Sequence, residues 1–143
     1  MAEDLRGAAR SLVVVARRLE RACDSLSLAQ FRVLALVAGG DERASRLAER
    51  LAVAKPTVTA VVDGLVERGY LAREAVEGDR RSIRLRVTAE GEQAMHTAED
   101  AMAEALNDLF APVTDRAALV QGLEEVHAAW LARVGERLET VRT

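Results

Sequence analysis

A strict alternation of apolar and polar side chains over residues 82–88 constrains the fold of this chain more than any other feature. Its period of two is that of a strand with one buried face, and it places the arginines of this segment on the other face. Residues 70–76 are the predicted partner strand. The connection, residues 77–81, contains the turn-forming pair Gly78 and Asp79. The sequence therefore predicts one hairpin in a chain whose remaining segments have a helical period.

Two amphipathic helices are predicted in the first part of the chain. Apolar residues recur at helical spacings from Leu5 to Cys23, and most arginines of that segment lie off the apolar stripe. Ser27 and Gln30 form a capping-box pattern, in which the serine hydroxyl accepts a helical N–H and the glutamine reaches back. We therefore expect the second helix to start at this box and to end at Gly39-Gly40.

Two further helices are predicted before the hairpin. Ser45 is the expected cap of a short third helix. Pro56 is expected to open the fourth, because proline is favoured in a first turn, where its missing N–H is not needed. Gly69 is expected to close the fourth helix directly before the hairpin.

Periodicity separates two faces of the fourth helix. The core face is formed by four apolar residues at helical spacing, which are Val58, Val61, Val62 and Leu65. The outer face then carries small or polar residues, which are Lys55, Thr57, Thr59, Ala60, Asp63 and Gly64. Such small groups can approach a bound molecule closely. An equally open interpretation is that the threonines merely occupy the surface of a helix start.

Two long helices are predicted after the hairpin. The seam of the first is Gly91, Met95, Ala98, Met102, Ala105 and Leu109. Pro112 is expected to stop it, and Thr114 to cap the last helix. The apolar side of that helix is Leu119, Leu123, Val126, Trp130, Val134, Leu138 and Val141. One chain has little else to cover both stripes, so we expect a homodimer.

The net charge of -3 conceals a division along the chain. Residues 1–40 carry +2, residues 41–91 carry +1 and residues 92–143 carry -6. The window 46–86 holds nine cations and six anions, from which a basic face could be assembled. An ordinary solvated surface explains the same mixture.

Composition limits the compartment and the chemistry. Cys23 is the only cysteine, which excludes an intramolecular disulfide and a cysteine-rich zinc site. The first residues lack a signal-peptide pattern, and no apolar run reaches the ~18 residues that a membrane helix requires. We therefore expect a cytoplasmic protein with no membrane partner.

The order of the predicted elements is typical of one fold. Helices followed by an arginine-faced hairpin predict a mainly α winged helix-turn-helix. The second helix of its turn, here the fourth predicted helix, enters a major groove. We expect one domain, residues 1–143, with a winged helix-turn-helix DNA-binding lobe at 27–88 and its wing at 70–88. Residues 1–26 and 89–143 are expected to form the helical dimerisation region.

Several sequence blocks, in this order and spacing, resemble the MarR-type (multiple antibiotic resistance regulator) family. The blocks are Leu28-Ala29-Gln30-Phe31-Arg32-Val33-Leu34, Leu47-Ala48-Glu49-Arg50-Leu51, Lys55-Pro56-Thr57-Val58-Thr59, Val62-Asp63-Gly64-Leu65-Val66-Glu67-Arg68-Gly69-Tyr70-Leu71, Asp79-Arg80-Arg81-Ser82 and Leu85-Arg86-Val87-Thr88-Ala89-Glu90-Gly91. Each block is weak alone, but the Asp-x-Arg group ten residues after Gly69 makes the set specific. The resemblance covers about residues 5–140.

The resemblance implies a homodimeric regulator of transcription that binds a pseudo-palindromic operator in double-stranded DNA. Such proteins commonly repress, and a small-molecule effector commonly releases them. Arg81 matches the wing arginine that enters the minor groove, and Asp79 matches the acid that orients it. Candidate DNA-binding residues are Ser45, Lys55, Pro56, Thr57, Thr59, Ala60, Arg73, Asp79, Arg80, Arg81 and Arg84. Arg73, Arg80, Arg84 and Arg86 could equally contact phosphates or be solvated.

Three positions depart from the family pattern. Ala54 stands where a serine is frequent, so a helix cap is missing. Ala60 stands where an arginine is frequent, which removes a base or phosphate contact. Lys55 replaces an arginine and cannot make the bidentate fork to guanine. We therefore expect lower operator affinity and an altered sequence preference.

Other functions have weaker support. No nucleophile elbow, P-loop or dinucleotide turn is present, so we expect no enzyme, no cofactor and no catalytic residues. Cys23 is interpreted as a small core residue, and the isolated His96 and His127 do not predict a metal site. The effector-binding residues are not predicted. The alternative function is a winged-helix module for protein–protein interaction without operator binding.

Overall fold

The computed structural model describes residues 5–40 and 43–140, except for the side chains of residues 80, 81 and 134–140. The elements in chain order are α1 (Leu5–Ala22), α2 (Leu28–Ala38), α3 (Ala44–Leu51), α4 (Lys55–Glu67), β1 (Leu71–Val76), β2 (Asp79–Val87), α5 (Ala89–Phe110) and α6 (Arg116–Thr140). The predicted class, mainly helical with one hairpin, is confirmed. None of the helices in the described ranges has the length and apolarity needed to cross a membrane.

The chain divides into two compact units, Met1–Leu106 and Asn107–Thr143. The first contains a continuous apolar core built by α2, α3, α4, the base of the hairpin and α5. Its most deeply buried large side chains are Leu34, Leu47, Leu65, Val33, Val58 and Val62. The second unit contains the end of α5 and α6. The lobe boundaries drawn from sequence remain predictions.

The capping box of α2 is confirmed, whereas two other predicted caps are wrong. The N–H of Gln30 donates to Ser27 Oγ (3.1 Å), and Gln30 Oε1 accepts from the N–H of Ser27 (3.0 Å). Ser45 does not cap α3, because that helix already begins at Ala44 after Arg43, which makes no side-chain cap. Thr114 does not cap α6 either. The helix begins at Arg116, and the carboxylate of the preceding Asp115 accepts from the N–H of Ala118 (2.9 Å).

The boundaries of α4 follow the sequence signals. Pro56 lies in its first turn, as predicted. At its end Gly69 adopts a φ of +76°, and the N–H groups of Gly69 and Tyr70 donate to the carbonyls of Val66 (3.0 Å) and Leu65 (2.9 Å). This is a Schellman motif, which favours glycine because the left-handed conformation is strained for other residues. It turns the chain sharply from α4 into the hairpin.

The hairpin closes more tightly than the sequence suggested. A five-residue connection, as predicted, would pair Val76 with Ser82. The ladder has that register from Ala75↔Ile83 to Leu71↔Val87, but Val76 pairs with Asp79 across the turn Glu77-Gly78. The predicted five-residue connection, residues 77–81, is therefore wrong, because β2 already begins at Asp79 and only Glu77 and Gly78 form the turn. Residues 80–82 of β2 have no partner on β1, so they form a bulge at the wing tip.

The base of the hairpin is fixed to the start of α5. Thr88 Oγ1 donates to the carbonyl of Gly69 (2.5 Å) and accepts from the N–H of Gly91 (3.0 Å). A Cβ atom at Gly91 would lie 2.2 Å from the carbonyl oxygen of Tyr70, so only glycine fits this approach. The family-like Thr88-Ala89-Glu90-Gly91 segment therefore has a structural role, which is to hold the wing base.

Candidate nucleic-acid interface

The two faces of α4 are separated as predicted. Val58 and Val62 are each only 2% exposed, and Leu65 is fully buried. The predicted outer-face residues are exposed except for Gly64, which is half-buried, and the exposed ones are Lys55, Thr57, Thr59, Ala60 and Asp63. Pro56 is exposed as well. A surface of small and polar side chains supported by an apolar core is suited to enter a groove, since no bulky group holds the helix away.

The polar groups at the start of α4 are partly engaged. The Thr59 hydroxyl donates to the carbonyl of Lys55, one turn earlier (3.0 Å), which leaves its lone pairs to accept from a partner. Ala54 is the N-cap and makes no side-chain bond, as the departure from the family pattern implied. Ser45 is exposed in the first turn of α3. The hydroxyls of Ser45 and Thr59 are therefore within reach of solvent.

The outer face of the hairpin carries arginines, as the alternation predicted. Residues opposite each other in an antiparallel pair point to the same face. The pairings Ala72↔Arg86 and Glu74↔Arg84 place both arginines opposite to the core. Arg86 Nε donates to Glu74 Oε1 (2.5 Å), and this hydrogen bond raises the pKa of the guanidinium. Arg86 is thus held diagonally across the hairpin by Glu74.

Arg73 projects from the other face of the hairpin and reaches α4. Its guanidinium Nη2 donates to the Asp63 carboxylate, forming an ion pair between β1 and the exposed side of α4. Both side chains are partly exposed, so the pair itself adds only about 0–1 kcal/mol to stability. Arg73 is therefore neither a bare cation nor a purely solvated strand residue.

The wing tip is organised by Asp79 and Ser82. Ser82 Oγ donates to Asp79 Oδ2 (2.5 Å), and this hydrogen bond closes the bulge formed by residues 80–82. Arg80 and Arg81 lie between these two residues, and their side chains are outside the part that the structure describes. The predicted orientation of Arg81 by Asp79 therefore stays a prediction.

Cys23, His96 and His127 are the residues whose types could serve redox or metal sensing. Cys23 is buried, as predicted, and burial raises the pKa of its thiol, with a further rise from Asp24. A raised pKa leaves little reactive thiolate at neutral pH. His96 and His127 are exposed. Among the described residues, no group of three or more histidine, cysteine or acidic side chains could hold a metal ion.

Sequence reasoning missed the contacts that organise the wing. The pair Glu74–Arg86 could have been found from opposite charges on one face once the strand register was known. The pair Asp63–Arg73 joins different elements, so no local spacing predicts it. The Asp79–Ser82 bond depends on the irregular closure of the tip, which alternation alone does not reveal.

A sequence model of the MarR family matches residues 24–82, from the end of α1 to the wing tip. The winged-helix lobe belongs to the MarR family. The chain is also 30% identical over 95 residues to the HTH-type transcriptional regulator PecS of Dickeya dadantii. That alignment covers 66% of this chain and 53% of PecS, so the chain matches about half the length of this relative.

Solved structures of MarR-type proteins share the fold beyond the lobe. Wild-type MarR from E. coli in its apo form is 19% identical, with a TM-score of 0.73 over 87% of this chain and 96% of that one. CouR from Rhodococcus jostii RHA1, solved with p-coumaroyl-CoA, is 21% identical, with a TM-score of 0.71 over 90% of this chain and 93% of that one. At these identities the likeness establishes the winged-helix fold alone.

Proposed function

We propose that this protein is a transcriptional repressor that binds a pseudo-palindromic DNA operator as a homodimer and responds to a small ligand. The observation that carries the proposal is the exposed face of α4, on which Lys55, Thr57, Thr59 and Ala60 are all open to solvent. Family membership of the same lobe supports it. A repressor of this kind acts on DNA in the cytoplasm, and no catalytic role is proposed.

We assign the DNA contacts to two elements. On the helix-turn-helix, Ser45, Lys55, Pro56, Thr57, Thr59 and Ala60 would face the major groove and its phosphates. On the wing, Arg73, Asp79, Arg80, Arg81 and Arg84 would serve the adjacent backbone and minor groove. The exposure of the α4 residues supports the first assignment, and the position of Arg84 on the outer face of the hairpin supports the second.

The salt dependence of binding tests this function against a module that binds only proteins. The probe is a duplex selected by the protein from a random-sequence library. We expect affinity for it to fall by about 10³–10⁵ between 50 and 200 mM salt, because counterions are released from each neutralised phosphate. Lys55→Ala should lower the salt slope by about one per protomer. Arg116→Ala, with the same charge change in α6, should leave the slope unchanged.

A flat salt response, or failure of any duplex to be enriched, would contradict DNA binding and favour the protein-interaction module.

The homodimer is supported by uncovered apolar side chains. No residue of α1 is fully buried, and Leu12 and Val13 are 56% and 70% exposed. In the other unit, Val126 on α6 is 69% exposed. Apolar surfaces of this kind are typical of an interface between chains.

Sedimentation equilibrium is expected to give twice the chain mass of 15.5 kDa at micromolar concentration. Leu12→Glu should shift the population towards the monomer, because a carboxylate would be buried without a partner. Val53→Glu changes an exposed valine of the α3–α4 turn in the same way and should not. A monomeric unsubstituted chain would refute the dimer.

A small ligand has a candidate place beside the wing base. An open crevice of about 590 Å³ is lined by Ser25, Tyr70, Glu90, Gln93 and Thr97, together with Ala89 and Ala94. Its size lies in the range of ligand sites. CouR, which shares the fold, was solved with p-coumaroyl-CoA. A ligand in this crevice would contact Tyr70, the residue that joins α4 to β1.

A further inference from the structure

The hairpin is attached to the core over only part of its length. On its inner face Leu71 and Leu85 are 2% and 3% exposed, so the base is packed firmly. Further towards the tip, on the same face, Ala75 is exposed and Ile83 is 56% exposed. The apolar attachment of the wing therefore ends between these two levels.

Arg73 lies at the level where this attachment ends. It pairs with Leu85 in the ladder and stands between Leu71 and Ala75 on the inner face. From this position its guanidinium reaches the Asp63 carboxylate on the exposed side of α4. The ion pair thus adds a polar link to α4 at the level beyond which the apolar residues of the inner face are exposed.

Asp63 and Arg73 join the two elements to which the proposed function assigns DNA contacts. Asp63 lies one turn after Thr59 on α4, and Arg73 lies on the strand that leads to the wing tip. A carboxylate on a surface that faces phosphates opposes binding by its charge alone. Its ion pair with the wing offsets that cost if it keeps both elements in one arrangement.

We infer that Asp63 is a positioning residue for DNA recognition, which holds the wing against α4 through Arg73 and so directs Arg81 towards its groove. This inference rests on the proposed DNA-binding function. It assigns Asp63 no contact with DNA. Loss of the pair leaves the base of the hairpin packed and lets the outer wing pivot about Leu71 and Leu85.

The first test measures the wing in the free protein. Nitroxide labels are placed on Glu67→Cys and Glu77→Cys, both exposed, at the end of α4 and in the hairpin turn. Labelled chains are diluted with unlabelled chains, and the distance distribution between the labels is recorded by pulsed electron resonance. Asp63→Ala should broaden the distribution, whereas Asp63→Glu, which keeps a carboxylate within reach of Arg73, should not.

Glu74→Ala is the matched control for this measurement. It removes the same charge and breaks an exposed ion pair of the same hairpin, Glu74–Arg86, which makes no link to α4. We expect the distribution to stay narrow in this variant. Equal broadening in Asp63→Ala and Glu74→Ala would overturn the inference, because the pair would then merely stiffen the hairpin.

The second test measures coupling to Arg81 on the selected duplex at fixed salt. In the Asp63→Ala background, Arg81→Ala should cost about threefold to fivefold less affinity than in the unsubstituted chain, the change that an exposed ion pair can supply. In the Glu74→Ala background its cost should be unchanged. An unchanged cost in Asp63→Ala would overturn the inference, as Asp63 would then act only as a charge.

The two tests separate this inference from the function on which it rests. If the unsubstituted chain binds no duplex, the proposed function and the DNA role of Asp63 both fail. The distance distribution would then still show whether Asp63 holds the wing in the free protein.

Discussion

Val62→Asp is expected to unfold the winged-helix lobe. Val62 is 2% exposed in the core between α4 and its neighbours. An aspartate there would be a buried charge without a partner, which costs about 4 kcal/mol or more of the free energy of unfolding. That loss is comparable to the whole stability of many domains. Urea denaturation followed by circular dichroism measures it.

Two further variants make this result interpretable. Val62→Ala leaves a smaller defect and should lower the free energy of unfolding by about 2 kcal/mol, so it remains measurable if the aspartate variant does not fold. Thr59→Ala, one turn away on the exposed face, should change it by less than about 0.5 kcal/mol and weaken binding to the selected duplex. Equal stability losses at positions 59 and 62 would contradict the assignment of the two faces of α4.

Local sequence signals predicted most of the elements because they arise from neighbouring residues. The capping box of Ser27 and Gln30 fixes a helix start within four residues of chain. The alternation over residues 82–88 and the glycine at position 69 likewise act locally. These features do not depend on the rest of the fold, so the sequence is sufficient to find them.

Predictions failed where several local solutions compete. Thr114 and Asp115 are both good caps, and the side-chain bond to Ala118 shows that the aspartate is used. Ser45 could cap a helix, but α3 begins one residue before it without any side-chain cap. At the hairpin tip, the turn Glu77-Gly78 competes with a five-residue connection that would continue the register of the rest of the ladder. Residue type alone does not decide among these solutions.

The candidate interface was predictable in outline but not in its internal contacts. The exposed face of α4 follows from a helical period, which depends only on the chain itself. The pairs Asp63–Arg73 and Asp79–Ser82 depend on how α4 and the strands are placed in space. Charges of opposite sign occur throughout this chain, so the sequence offers too many partners to select the correct ones.

Arg81→Ala is expected to weaken binding to the selected duplex by about 1–3 kcal/mol at fixed salt. Arg81 lies in the bulge of β2 at the wing tip, where the backbone has no ladder partner on β1. A guanidinium in a narrow A·T-rich minor groove meets an enhanced negative potential, so its removal should also abolish preference for A·T-rich flanks. Competition binding with duplexes that differ only in their flanks measures both effects.

Two control variants distinguish insertion of Arg81 into the groove from general electrostatic attraction to DNA. One keeps the charge at position 81, and the other removes a charge elsewhere. Arg81→Lys should restore only part of the affinity and little of the flank preference, because the more strongly hydrated ammonium resists entry into the groove. Arg10→Ala removes one charge from α1 and should leave flank preference intact. Thermal unfolding of Arg81→Ala should match that of the unsubstituted chain, since position 81 makes no ladder pair with β1. If affinity and flank preference both survive the loss of Arg81, the wing does not read DNA, and a protein partner for this lobe becomes the better explanation.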